Sequence, residues 1–131
     1  MFRDAESFNQ PLDKWDLKSI KNLSYMFLNT PKFNQPIFVI PEKNFKITGM
    51  FTRATAFNQP LDWNANKIGN LAYLFDGASS FDQDISGWRN SSSKVEVGHM
   101  LRNSGMSEEN YCKVATKWNY TGNLGKNYKC N

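Results

Sequence analysis

One five-residue phrase recurs four times along the chain at nearly constant spacing. It reads FNQPL at residues 8–12, FNQPI at 33–37, FNQPL at 57–61 and FDQDI at 81–85. Successive copies therefore begin 25, 24 and 24 residues apart. A unit of this size cannot enclose its own apolar side chains, so the units must stack and bury them against one another.

A second set of positions follows the same period and marks where each unit begins. These positions are Met1, Met26, Met50 and Leu74, followed by a degenerate start at Met100. We divide the chain into a repeat domain, residues 1–102, and a C-terminal cap, residues 103–131. The units of the repeat domain are 1–25, 26–49, 50–73 and 74–99. The predicted fold is a repeat solenoid, similar to leucine-rich-repeat proteins, with equivalent Phe residues in one continuous buried stack.

Each coil of this solenoid is predicted to hold one short strand and one short helical segment. Ile20, Leu23 and Met26 are spaced by three, which favours a short helix or 3₁₀ segment with Ser19 as its N-cap. The stretch from Phe8 to Trp15 is predicted to be extended. Prolines at 11, 36 and 60 limit any strand there to a few residues.

The cap contains a pattern that is typical of an amphipathic helix. Ser107 precedes Glu108 and Glu109, which suit the N-cap and the positive end of a helix dipole. The apolar residues that follow fall on one face, so we predict a helix that seals the last coil. They are Tyr111, Val114, Ala115 and Trp118.

The recurring Asn-Gln pair has two interpretations, a row of ligand contacts or a set of hydrogen bonds between coils. We favour hydrogen bonds, because identical amides in every coil can satisfy the backbone groups of buried turns. The fourth unit carries Asp82 and Asp84 instead, with no further carboxylate nearby in sequence. We therefore predict turn residues and no calcium site.

The chain contains two cysteines, Cys112 and Cys130, both within the cap. In an oxidising compartment they would form a disulfide that stabilises the fold by about 3 kcal/mol. Elsewhere they would remain two free thiols. With His99 as the sole histidine, the donors are too few for a structural zinc site, and we predict no metal or cofactor.

The charge distribution, the hydropathy and the motif content argue against several functional classes. The net charge is +4, with basic residues scattered among acidic ones, so we expect no nucleic-acid partner. No apolar run approaches about 20 residues, so we expect no membrane insertion. No constellation of nucleophile, base and oxyanion donors is visible, and we predict that the chain is not an enzyme.

The phrase MFxxAxxFNQPLxxWD, read from Met1 to Asp16, resembles the repeat of BspA-like bacterial surface proteins, which is also abundant in Mycoplasma lipoproteins. Residues 20–27 and 105–111 are similar to further parts of such arrays. The second unit departs from the pattern, because residues 37–44 replace the Trp segment. The resemblance implies a cell-surface or secreted protein with a role in adhesion or protein binding, and it supplies no catalytic residues.

No secretory signal is visible in the first residues, so the surface location is inherited from the resemblance alone. Met1 lies at a repeat position, as expected of part of a longer array. We expect a non-enzymatic interaction module whose partner is an extracellular protein. Variable positions on a rigid scaffold are the candidate ligand contacts: Asp13, Lys14, Phe38, Trp63 and Ser86.

Two alternative functions remain open from the sequence. A carbohydrate-binding module could stack sugars on Trp15, Trp63 and Trp88, provided that these rings are exposed. A structural spacer could hold another domain away from a surface.

Overall fold

A computed structural model describes residues 2–15, 22–37, 46–64, 68, 70–89, 95–120 and 122–130. Regular structure in these residues consists of one α-helix, α1 at Glu108–Trp118, and a 3₁₀ turn at Ser86–Trp88. Strand pairing in the same ranges is limited to isolated parallel bridges. They join Leu12 to Ile37, Asn22 to Lys46 and Asn70 to Glu96.

Backbone hydrogen bonds join equivalent positions of successive repeats. The N–H of Phe27 donates to the carbonyl of Met50 at 2.9 Å, and the N–H of Phe51 donates to that of Leu74 at 3.0 Å. Phe2 and Phe75 make the same bond to Met26 and Met100. Each repeat therefore lies beside the next one, with its backbone donors satisfied by its neighbour.

The segment predicted as a short helix is a series of turns in its described part. Residues 24–29 are turns, closed by bonds such as Met26 N–H to Leu23 O at 3.1 Å. Tyr25 and Asn29 have φ values of 59° and 58°. A left-handed residue interrupts a right-handed helix, which explains why no helix forms over these residues. Ser19 and Ile20 lie outside the described residues.

Phenylalanine rings form two parallel columns through the core. Phe33, Phe57 and Phe81 are fully buried, as predicted, with neighbouring ring centroids 5.8 and 6.2 Å apart. Phe8 belongs to the same column but is only half-buried. The second column stacks at 5.4 to 5.8 Å and contains Phe2, Phe27, Phe51 and Phe75.

The predicted helix of the cap is confirmed and begins at the predicted residue. Ser107 is the N-cap of α1, and its Oγ accepts a hydrogen bond from the N–H of Asn110 at 3.3 Å. Tyr111, Val114 and Trp118 are buried on its inner face. The indole Nε1 of Trp118 donates to the carbonyl of Ser86 at 3.0 Å, which joins the end of α1 to the fourth repeat.

The tail after α1 returns to the repeats and lies along the last one. The N–H groups of His99 and Leu101 donate to the carbonyls of Asn123 and Leu124, at 2.9 and 2.7 Å. Leu124 is buried, and it follows Met100 by 24 residues, the repeat period. Cys130 is bonded to Cys112, with Cα atoms 5.4 Å apart, so that a disulfide ties this tail to α1.

Candidate functional site: an exposed aromatic row

The recurring asparagines bond to each other from repeat to repeat. The N–H of Asn34 donates to Asn9 Oδ1, that of Asn58 to Asn34 Oδ1, and that of Asp82 to Asn58 Oδ1, each at 2.9 Å. Gln59 Nε2 also donates to Asn34 Oδ1 at 3.1 Å. The predicted bonding between repeats is confirmed, and these amides are used within the fold.

Asp82 ends this ladder and accepts hydrogen bonds from the cap. Its Oδ1 lies 2.9 Å from the Ser107 nitrogen, 3.0 Å from Ser107 Oγ and 2.9 Å from Asn110 Nδ2. Burial alone would raise the pKa of Asp82, but the bonds from Ser107 and Asn110 hold it below its usual value. Among the described residues, no group of three or more His, Cys, Asp or Glu side chains could hold a metal ion.

The ligand contacts predicted from the sequence differ in their exposure to solvent. Asp13 and Lys14 are exposed on a turn, whereas Trp63 is buried, with 4% of its surface accessible. Ser86 is half-buried, and its backbone is bonded to both Asp84 and Trp118. Phe38 lies outside the described residues.

The tryptophan rings that a sugar-binding surface would need are mostly buried. Trp63 and Trp88 stack with centroids 5.3 Å apart, and Trp88 Nε1 donates to the carbonyl of Leu61 at 2.8 Å. Trp15 is half-buried against Phe2. Large aromatic rings stabilise the fold more when they are buried between repeats than when they are exposed to water. The tryptophan-based carbohydrate alternative therefore loses its basis.

A row of side chains at one position of each repeat, missed from the sequence, forms the candidate site. Tyr25 and Tyr73 are 43% and 39% exposed, although each precedes a buried Met or Leu. His99 is half-exposed at the same position of the fourth repeat, and Gly49 lies there in the second. We call Tyr25, Gly49, Tyr73 and His99 the tyrosine row.

Every member of the tyrosine row has a left-handed backbone. The φ values are 59° at Tyr25, 61° at Gly49, 59° at Tyr73 and 53° at His99. Glycine adopts this conformation freely, but a side chain there costs roughly 1–2 kcal/mol. Tyr25 and Tyr73 occupy this position despite that cost, which motivates the hypothesis that the row has a function.

The rings of the row are held in place by their neighbours. Tyr73 stacks on His99 with centroids 5.7 Å apart, and the Arg102 guanidinium carbon lies 5.3 Å from the Tyr73 ring. Two hydrogen bonds, of 3.1 and 2.6 Å, fix Arg102 to Asp76 and raise the pKa of Arg102. A Cβ at Gly49 would overlap the Tyr25 ring, so that ring rests on the glycine.

The position of the row could have been found from the sequence. Each member of the row lies immediately before the first residue of a repeat start, that is, before Met26, Met50, Leu74 or Met100. The exposure of these side chains could not have been predicted from the sequence, because Tyr25 adjoins the apolar Met26 and would be assigned to a buried apolar segment.

The comparisons with known proteins give one partial match. No curated protein and no solved structure matches the chain. Within the described residues, no helix is both long enough and apolar enough to cross a membrane. Residues 1–47, the first repeat and nearly all of the second, are similar to a family described as Mycoplasma protein of unknown function, DUF285.

Proposed function

We propose that the chain is a leucine-rich-repeat-like solenoid of the BspA-like kind and acts as a non-enzymatic interaction module of a surface or secreted protein. The hydrogen bonds and ring contacts between equivalent positions support a solenoid. The similarity of residues 1–47 to a Mycoplasma family supports the Mycoplasma part of this resemblance. The Cys112–Cys130 disulfide supports an oxidising, extracellular compartment.

The tyrosine row is the observation that carries protein binding. Tyr and Arg dominate binding energy at protein interfaces, and Tyr supplies contact area at a low cost in conformational entropy. Tyr25 and Tyr73 are exposed, and Arg102 is fixed beside Tyr73 by Asp76. A row that is ordered before binding loses little freedom on binding a partner.

Selection from a random-peptide display library on the immobilised chain would test this proposal. We expect selected peptides to lose affinity at least about tenfold on the double variant Tyr25→Ala/Tyr73→Ala, the effect of a hot spot. The matched control is Glu108→Ala/Lys117→Ala, which alters two exposed positions of α1. Equal affinity for the wild type and the tyrosine variant, with both folded by circular dichroism, would refute the assignment of the row as the binding site.

A further inference from the structure

We infer that the tyrosine row binds an acidic polypeptide segment that carries an aromatic side chain, an inference that rests on the proposed function. The charges beside the row decide the sign of the partner. Among the described residues, three carboxylates near the row make contacts within the chain. Asp4 accepts from Asn29 Nδ2 at 3.0 Å, Asp76 is paired with Arg102, and Glu96 accepts from the N–H of Gly98 at 2.7 Å.

The cations near the centre of the row differ from these carboxylates, because they have no oppositely charged partner among the described residues. Lys46, in the second repeat, lies three residues before Gly49, and Arg53, in the third, lies four residues after it; both are exposed. Within the part of the chain that the structure describes, neither makes an ion pair with a carboxylate. The surface on both sides of Gly49 therefore offers positive charge to a partner, which selects carboxylates.

Gly49 leaves the middle of the row without a side chain. Neighbouring backbones in such hydrogen-bonded stacks lie about 4.8 Å apart, so Tyr25 and Tyr73 are anchored roughly 10 Å from each other. The Tyr25 ring rests on Gly49 and is partly exposed to solvent. A planar side chain of the partner can stack there on an aromatic surface.

The two cations also decide which planar group is accepted. An arginine guanidinium stacks on tyrosine, but Lys46 and Arg53 would repel it. A neutral aromatic ring is not repelled, and carboxylates that flank it would face the two cations. The favoured occupant is therefore an aromatic residue with acidic neighbours.

Random copolymers of amino acids provide defined probes for this chemistry. A glutamate–tyrosine copolymer offers both features, a glutamate–alanine copolymer offers charge alone, and a lysine–tyrosine copolymer reverses the charge. We expect the immobilised chain to bind the glutamate–tyrosine copolymer at least about tenfold more tightly than either of the others, because the ring and the charge both contribute. Binding should weaken as salt is added.

Charge reversal tests whether Lys46 and Arg53 select the partner. The variant Lys46→Glu/Arg53→Glu should lose at least about tenfold in affinity for the glutamate–tyrosine copolymer. The control Lys117→Glu/Lys129→Glu makes the same change in net charge at exposed positions of the cap and should retain binding. An equal loss in the control would overturn the inference, since it would indicate unspecific attraction.

Two further outcomes separate this inference from the proposed function. If display-selected peptides depend on Tyr25 and Tyr73 but not on Lys46 and Arg53, the proposed function stands and the acidic partner is refuted. If heparin binds through the two cations more tightly than the glutamate–tyrosine copolymer and independently of the tyrosines, the partner is an anionic polysaccharide and the inference is overturned.

Discussion

Asn110 Nδ2 lies 2.9 Å from Oδ1 of Asp82 and 3.3 Å from its carbonyl oxygen. Gln83 makes the same pair of bonds to Asn58, at 3.0 and 3.3 Å. The N–H of Ser107 donates to Asp82 Oδ1, as the N–H of Asp82 donates to Asn58. The start of α1 thus makes the contacts of one more repeat, and this lets a helix end the stack without leaving its polar groups unpaired.

Replacement of Asp82 by Asn should make stability less dependent on pH. Because the pKa of Asp82 is lowered by folding, its carboxylate stabilises the protein above the unfolded pKa of about 3.9, and this contribution is lost as pH falls through the folded pKa. Asn keeps the acceptor oxygen but removes the negative charge at the start of α1, which should cost about 0.3–1 kcal/mol at neutral pH.

Urea unfolding at neutral pH and below the folded pKa would measure this effect. We expect the wild type and Asp82→Asn to differ at neutral pH and to converge in acid. Asp13→Asn, on an exposed turn, is the control and should leave stability unchanged at neutral pH. A difference between wild type and Asp82→Asn that persists unchanged in acid would contradict the role of the charge.

Truncation of the phenylalanine column should cost more inside the stack than at its first repeat. Phe57 is fully buried between Phe33 and Phe81, so Phe57→Ala should lower the free energy of unfolding by about 3–5 kcal/mol. Phe81→Ala should cost a similar amount, because the cap covers the fourth repeat. Phe8→Ala should cost less, since Phe8 is only half-buried.

Denaturation midpoints of the three single variants would decide this ranking. Equal and small losses would mean that the rings contribute little to the core. A larger loss at Phe8 than at Phe57 would show that another molecule covers the first repeat in solution.

Removal of the disulfide should destabilise the cap and release the tail. The cysteines are separated by 18 positions, and a loop of this size corresponds to about 3 kcal/mol in the chain-entropy model. In Cys112→Ser/Cys130→Ser we expect faster hydrogen exchange at the N–H groups of His99 and Leu101, which are bonded to the tail.

The amide of Phe51 is the internal reference for this exchange measurement. Its N–H bonds to Leu74, between repeats and away from the tail. Unchanged protection at Leu101 in the double serine variant would show that the tail holds its place without the disulfide.

A pair of substitutions at Tyr25 should reveal the backbone strain of the tyrosine row. Both Tyr25→Ala and Tyr25→Asn remove the ring, but Asn tolerates a left-handed backbone better than Ala does. At a φ of 59°, the Asn variant should therefore be more stable than the Ala variant by roughly 1 kcal/mol. Chemical denaturation of the two variants would measure the difference, and identical midpoints would argue against strain at this residue.

Several features of this protein were readable from spacing and residue type. The burial of Phe33 and Phe57, the bonding of the asparagines and the capping of α1 by Ser107 are examples. They could be predicted because each depends on a residue that recurs at the repeat period, or on a cap followed by an apolar stripe. Stacking identical units places identical side chains together, whatever the details of each turn.

Other features required the folded chain. Tyr25 adjoins the apolar Met26, whereas Trp63 stands between the polar residues Asp62 and Asn64, yet Tyr25 is exposed and Trp63 is buried. The left-handed turn at Tyr25 accounts for the exposure of its ring, and the packing on Trp88 accounts for the burial of Trp63. Neither the φ value nor this packing follows from the local sequence. The placement of Leu124 beside Leu101 likewise depends on where the tail returns after α1. Exposure is a property of what lies against a side chain, and distant segments supply those neighbours only once the chain has folded.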